Sequence, residues 1–115
     1  MLEVRFDCVF YYVSDLDRAI KFYERAFGLR LASRDAVARF RVDGVLLELV
    51  PTKEKTLLSG QGNARLALAV NDLEKAVSDL VSSRLSCSPI HVVENGRFIT
   101  LRDPDQNEIM LWQYT

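Results

Sequence analysis

Apolar and polar positions alternate with period two, then recur every three to four residues, and this order occurs twice along the chain. Residues 4–13 are rich in β-branched and aromatic side chains, and residues 65–70 alternate, so each stretch predicts a strand. A helix start follows each. Ser14 or Asp15, and Asn71 or Asp72, are placed to accept hydrogen bonds from the unpaired N–H groups of a first turn. Leu16, Ala19, Ile20, Tyr23, Ala26 and Phe27 share one helical face, as do Leu73, Ala76, Val77, Leu80 and Val81. Gly28 suits the left-handed backbone that ends a helix.

Three shorter strands are predicted after each helix, near 29–33, 37–42 and 45–50, and near 86–93, 97–102 and 108–114. Asp43-Gly44 and Asn95-Gly96 supply tight turns, and Asp103-Pro104-Asp105-Gln106-Asn107 supplies a longer one. The two halves are related by sequence as well as by pattern. Ser14-Asp15-Leu16-Asp17-Arg18-Ala19-Ile20 aligns with Asn71-Asp72-Leu73-Glu74-Lys75-Ala76-Val77 at an offset of 57 residues, about half the chain. The expected architecture is α+β, with tandem βαβββ modules forming a curved mixed sheet with a cleft. Module one spans 1–51, a polar linker ending in Gly-Gln-Gly spans 52–62, and module two spans 63–115.

Period two also assigns the strand faces. Val9, Tyr11 and Val13, Leu47 and Leu49, Leu66, Leu68 and Val70, and Ile109 and Leu111 form the mostly aliphatic set expected beneath the helices. The opposite set contains Cys8, Phe10, Tyr12, Glu48, Arg65, Met110, Trp112 and Tyr114. With one helix per module, nothing remains to cover that face, which is therefore the expected ligand-binding surface; Phe98 is assigned to it as well.

The composition narrows the function. Fifteen basic and 16 acidic residues give a net charge of −1, which favours neither nucleic acid nor an anionic membrane. No apolar run approaches the roughly 20 residues of a membrane span, and Met1-Leu2-Glu3-Val4-Arg5 does not read as a signal peptide. Cys8 and Cys87 have no disulfide-framework spacing, so reduced thiols in a cytoplasm are expected. The single histidine, His91, excludes a site built from two histidines of one chain.

Phe6-Asp7-Cys8-Val9, Val13-Ser14-Asp15-Leu16-Asp17-Arg18-Ala19, Phe22-Tyr23 and Phe27-Gly28-Leu29 resemble the opening of vicinal-oxygen-chelate proteins, the superfamily of glyoxalase I, bleomycin-resistance proteins and extradiol dioxygenases. Leu46-Leu47-Glu48-Leu49 and Arg102-Asp103-Pro104-Asp105-Gln106-Asn107-Glu108-Ile109-Met110-Leu111 resemble its module-closing strands. The resemblance implies four metal positions, which fall on Cys8, Glu48, Arg65 and Met110. Only Glu48 keeps a ligand type of the family. Arg65 stays protonated, and Met110 is too soft for hard divalent ions.

The resemblance therefore implies a metal-independent protein that binds a small planar or aromatic molecule, with no cofactor and with a homodimeric assembly. The alternative is a lyase, isomerase or dioxygenase using a divalent metal at an atypical site, or Glu48 as general base. A non-catalytic interaction domain is a third reading. Each residue also has a plainer role. Glu48 is a solvated strand carboxylate or half of an ion pair, for which Arg65 is the expected partner. Cys8 is an inert thiol unless activated, His91 lies on an edge strand, Arg39 and Arg41 are solvated, and Asp103 and Asp105 belong to a turn.

Overall fold

A computed structural model describes residues 2–58 and 64–115. The chain divides into two compact units, residues 1–58 and 59–115. The first contains β1 (Cys8–Val13), α1 (Leu16–Phe27), β2 (Leu31–Arg34), β3 (Ala38–Val42), β4 (Val45–Pro51) and a 3-10 turn (Lys55–Leu58). The second contains β5 (Leu66–Ala69), α2 (Leu73–Ser82), β6 (His91–Val93), β7 (Gly96–Arg102) and β8 (Glu108–Tyr114). Each unit is thus the expected βαβββ module. Its four strands form one mixed sheet, in the order β1-β4-β3-β2 or β5-β8-β7-β6. In both, the first strand runs parallel to the last, and the other pairs are antiparallel. Among the described residues, no helix is long and apolar enough to cross a membrane.

The helices begin where the sequence indicates. Asp15 accepts the Arg18 N–H at 3.0 Å, and Asp72 accepts that of Lys75 at 3.0 Å. Gly28 closes α1 at φ 64°, donating its N–H to Glu24. At the end of α2 the left-handed residue is Arg84, at φ 61°. The start of α2 is further tied to its own sheet. Gln113 Oε1 accepts the Leu73 N–H at 2.7 Å and an Arg97 N–H at 3.0 Å, while Arg97 grips Glu74 bidentately at 2.5 and 2.7 Å. The guanidinium hydrogen bonds hold the Glu74 carboxyl down at about 2.

One face of each sheet packs under its helix. Val13, Ala38, Phe40, Leu47 and Leu49 are buried with Ala19, Ile20 and Tyr23 in the first module; Ile99, Leu101, Ile109 and Leu111 are buried with Leu73 and Leu80 in the second. Val81, assigned to the α2 core face, is 65% exposed. It lies about 100° around the helix from Leu80, at the margin of the apolar stripe.

Several boundaries differ from expectation. Pairing of β1 starts at Cys8, opposite Leu46, because β4 begins only at Val45; residues 2–7 run on without a ladder. The β6 strand is three residues long, not eight. Pro89 has no N–H to give, and Ser88 Oγ takes the Thr100 N–H at 2.9 Å in place of a backbone carbonyl. The linker region contains the 3-10 turn, packed against β1, and its Gly-Gln-Gly end lies outside the described residues. The Asp43-Gly44 turn forms as anticipated, with φ of 51° and 84°. The Asn95-Gly96 turn is displaced by one residue: Val93 pairs with Gly96, so Glu94 and Asn95 make the turn.

Gly96 is needed for space. A Cβ there would lie 2.5 Å from the Gln113 carbonyl oxygen and 2.7 Å from the Trp112 ring. Gly96→Ala is expected to destabilise the fold by roughly 1–3 kcal/mol, lowering the thermal midpoint by several degrees; an unchanged midpoint contradicts this packing. The acid limb of stability provides a second check. A carboxyl lowered to about 2 stabilises the folded chain above its unfolded value of roughly 4.3, and that contribution is lost as pH falls through about 2. Glu74→Gln should flatten the stability–pH curve over that window.

Candidate functional site

The uncovered face of the first sheet carries Cys8, Phe10 and Tyr12 from β1 and Leu46, Glu48 and Val50 from β4. Register places Cys8 beside Leu46, Phe10 beside Glu48 and Tyr12 beside Val50. The Phe10 and Tyr12 rings meet edge to face at 5.4 Å, and Phe10 is 49% exposed. Across β3, Glu48 stands opposite Arg39.

Arg39 is the ion-pair partner of Glu48, with Nε 3.8 Å from Oε2. It also contacts Asp35 at 3.1 Å and Ser33 Oγ at 3.4 Å. Within the first module, Glu48 therefore has a partner in Arg39. Arg39, read as solvated, has its side chain 30% exposed, and that of Glu48 is 19% exposed. The reason is the Asp43-Gly44 hairpin, whose register fixes residue 39 opposite residue 48. Asp35 is held below the usual carboxylate range by the Val37 N–H first and Arg39 second. Burial, with the Glu48 and Asp7 carboxylates nearby, pushes the Cys8 thiol up, away from the thiolate that nucleophilic attack or metal ligation needs.

The second sheet presents three rows on its uncovered face. Ala69, Trp112, Phe98 and His91 form one row across four strands. Its rings stack, His91 on Phe98 at 5.1 Å and 25°, and Phe98 on Trp112 at 5.8 Å and 20°. Tyr114 adds an edge contact to Trp112 at 5.4 Å. The middle row is Ala67, Met110 and Thr100. Glu108 and Arg102 lie opposite each other in the third, with Arg65 one position before the start of β5. There Arg65 Nε is 3.6 Å from Glu108 Oε1, and an Arg102 terminal nitrogen is 3.1 Å from Oε2.

The sequence places His91 on an edge strand, and the β6–β7 register brings it into the ring row. Among the described residues, Trp112 Nε1 is the buried side-chain polar atom without a hydrogen-bond partner.

The four family metal positions do not make a fitting donor set. Cys8 is biased toward the neutral thiol, Arg65 is a cation engaged with Glu108, and Met110 offers a thioether, leaving Glu48 as the one hard donor. Among the described residues, no three His, Cys, Asp or Glu side chains are grouped to hold a metal ion.

Paired βαβββ modules, each with one helix-covered and one uncovered sheet face, define the structural class. The profile of the Glyoxalase/Bleomycin resistance protein/Dioxygenase superfamily matches residues 5–111, and the chain belongs to that superfamily. No curated protein matches its sequence. Solved structures share the fold at low identity. TnmS3, an antibiotic binding protein from a Streptomyces species, is 23% identical with a TM-score of 0.83, over 100% of this chain and 99% of that one. The genomically encoded fosfomycin resistance protein FosX of Listeria monocytogenes is 15% identical with a TM-score of 0.82, over 99% and 96%. A lactoylglutathione lyase of Agrobacterium tumefaciens is 18% identical with a TM-score of 0.78, over 96% and 94%.

The pairing at Glu48 is open to a double-mutant cycle. Glu48→Gln with Arg39→Gln should give a coupling energy of about 0.5–1 kcal/mol, as for partly exposed pairs. A value within error of zero contradicts the pairing.

Proposed function

We propose that this protein binds a small planar or aromatic molecule and does so without a divalent metal. The observation that carries the reading is the ring row of His91, Phe98 and Trp112 on an uncovered sheet face. Such a row offers broad stacking area at little entropic cost. The antibiotic-binding role of the structural neighbour TnmS3 agrees with this reading. The expected ligand-binding residues are Cys8, Phe10, Tyr12, Glu48, Arg65, Phe98, Met110 and Trp112, to which Arg39 and His91 are added. Catalysis is not assigned to any of them; Glu48, already paired with Arg39, is the sole candidate base under the metal-dependent alternative.

The same reading makes the protein a cytoplasmic homodimer with free thiols. The exposed apolar side chains of Leu2, Val4 and Phe6 favour burial against a second copy. A sedimentation mass of one chain at micromolar concentration would count against the dimer.

Trp112 is the single tryptophan, so its fluorescence reports the site directly. Planar aromatic compounds should quench it saturably and raise the thermal midpoint, with the midpoint shift lost in Trp112→Leu. Protein purified without chelator should carry no stoichiometric zinc, nickel, iron or manganese. Near-stoichiometric metal, lost on Glu48→Gln, would establish the enzymatic alternative instead.

A further inference from the structure

The third row of the second sheet has a charge composition that the ring-stacking reading does not use. One carboxylate, Glu108, lies between two guanidiniums, those of Arg65 and Arg102, so the cluster carries a net positive charge. The Glu108 side chain is the most covered of the three at 23% exposure, against 41% for Arg65 and 52% for Arg102. The carboxylate therefore serves as a brace. It fixes both guanidiniums from below while they remain at the surface. Arg102 is held a second time by donating to the Gln106 carbonyl at 3.1 Å, and Arg65 by donating to the Ala64 carbonyl at 3.0 Å. Ordering two long side chains in advance removes part of the entropy loss that binding would otherwise impose on them.

This cluster shares a face with the rings. Glu108, Met110 and Trp112 are spaced by two along β8, so their side chains point the same way. Two residues of strand advance about 7 Å, which puts the charged row roughly 14 Å from the ring row. The floor between them is low and mostly uncharged, built from Ala67, Met110 and Thr100. The small side chain of Ala67 leaves room above that floor.

We propose that the ligand is an aromatic acid: its ring system lies on the floor against Trp112, and its carboxylate or other anionic group is taken by Arg65 and Arg102. This rests on the ring-stacking reading and names the ligand's chemical class. An arginine fork meets a carboxylate with two parallel hydrogen bonds, which a neutral amide cannot reproduce.

The test uses the full-length protein with two probes of equal shape, 2-naphthoate and 2-naphthamide. The single tryptophan provides one indole N–H resonance, and titration of its shift gives each affinity. Naphthoate is expected to bind at least roughly tenfold more tightly in low salt, with the advantage shrinking as salt rises. Arg102→Gln and Arg65→Gln, made singly, should each weaken naphthoate binding more than naphthamide binding and so reduce that advantage. Circular dichroism and thermal midpoints verify that each variant folds. Equal affinity for the two probes, or a preference for the acid that survives both substitutions, overturns this inference and leaves the stacking reading standing. If neither probe moves the indole resonance in the folded wild-type protein, the stacking reading falls, and this inference falls with it.

Discussion

Each sheet has one helix, and a helix covers one face. The rest of the structure depends on that constraint. Because strand side chains alternate, covering one face with Leu47 and Leu49, or with Ile109 and Leu111, sends Glu48, Met110 and Trp112 to the other. A one-residue slip of any strand would bury the charged and ring-bearing side chains and expose the aliphatic ones. The core thus fixes the register, and the register composes the candidate site. The second module ties helix and sheet together more tightly still, through Gln113 at the first turn of α2 and the Arg97–Glu74 pair beside it.

The site chemistry follows from which side chains occupy equivalent positions in the two modules. Pairing of Cys8 with Leu46 in the first sheet corresponds to Arg65 beside Glu108 in the second, and Phe10 beside Glu48 corresponds to Ala67 beside Met110. One scaffold therefore carries two different surfaces. The first has a thiol kept protonated next to a carboxylate that an arginine neutralises. The second has rings at one end and a braced pair of guanidiniums at the other. Among the described residues, neither surface groups three side chains that could hold a metal ion.

Most of the architecture was legible in the sequence, because the repeat and the two periodicities reinforce one another. The helix caps at Asp15 and Asp72 and the hairpin at Asp43-Gly44 could all be read from it. Pairing partners are harder to read. The Arg39 partner of Glu48 follows from the Asp43-Gly44 hairpin, whose register sets residue 39 opposite residue 48. The ring row gained His91 only when the β6–β7 turn proved to centre on Glu94 and Asn95. No local signal in the sequence shows that Gly96 is required by the neighbouring indole, since that demand comes from β8, across the sheet. The truncated β6 depends on Ser88 Oγ standing in for a carbonyl, a substitution that strand propensity does not register.

Ligand binding on the face opposite the helix has a direct signature in intermolecular nuclear Overhauser contacts between a bound aromatic probe and the side chains of β7 and β8. Expected are contacts to the Thr100 and Met110 methyls and to the Phe98 and Trp112 rings, with none to Ile99, Leu101, Ile109 or Leu111. Contacts to that second set, or to the side chains of α2, would contradict it.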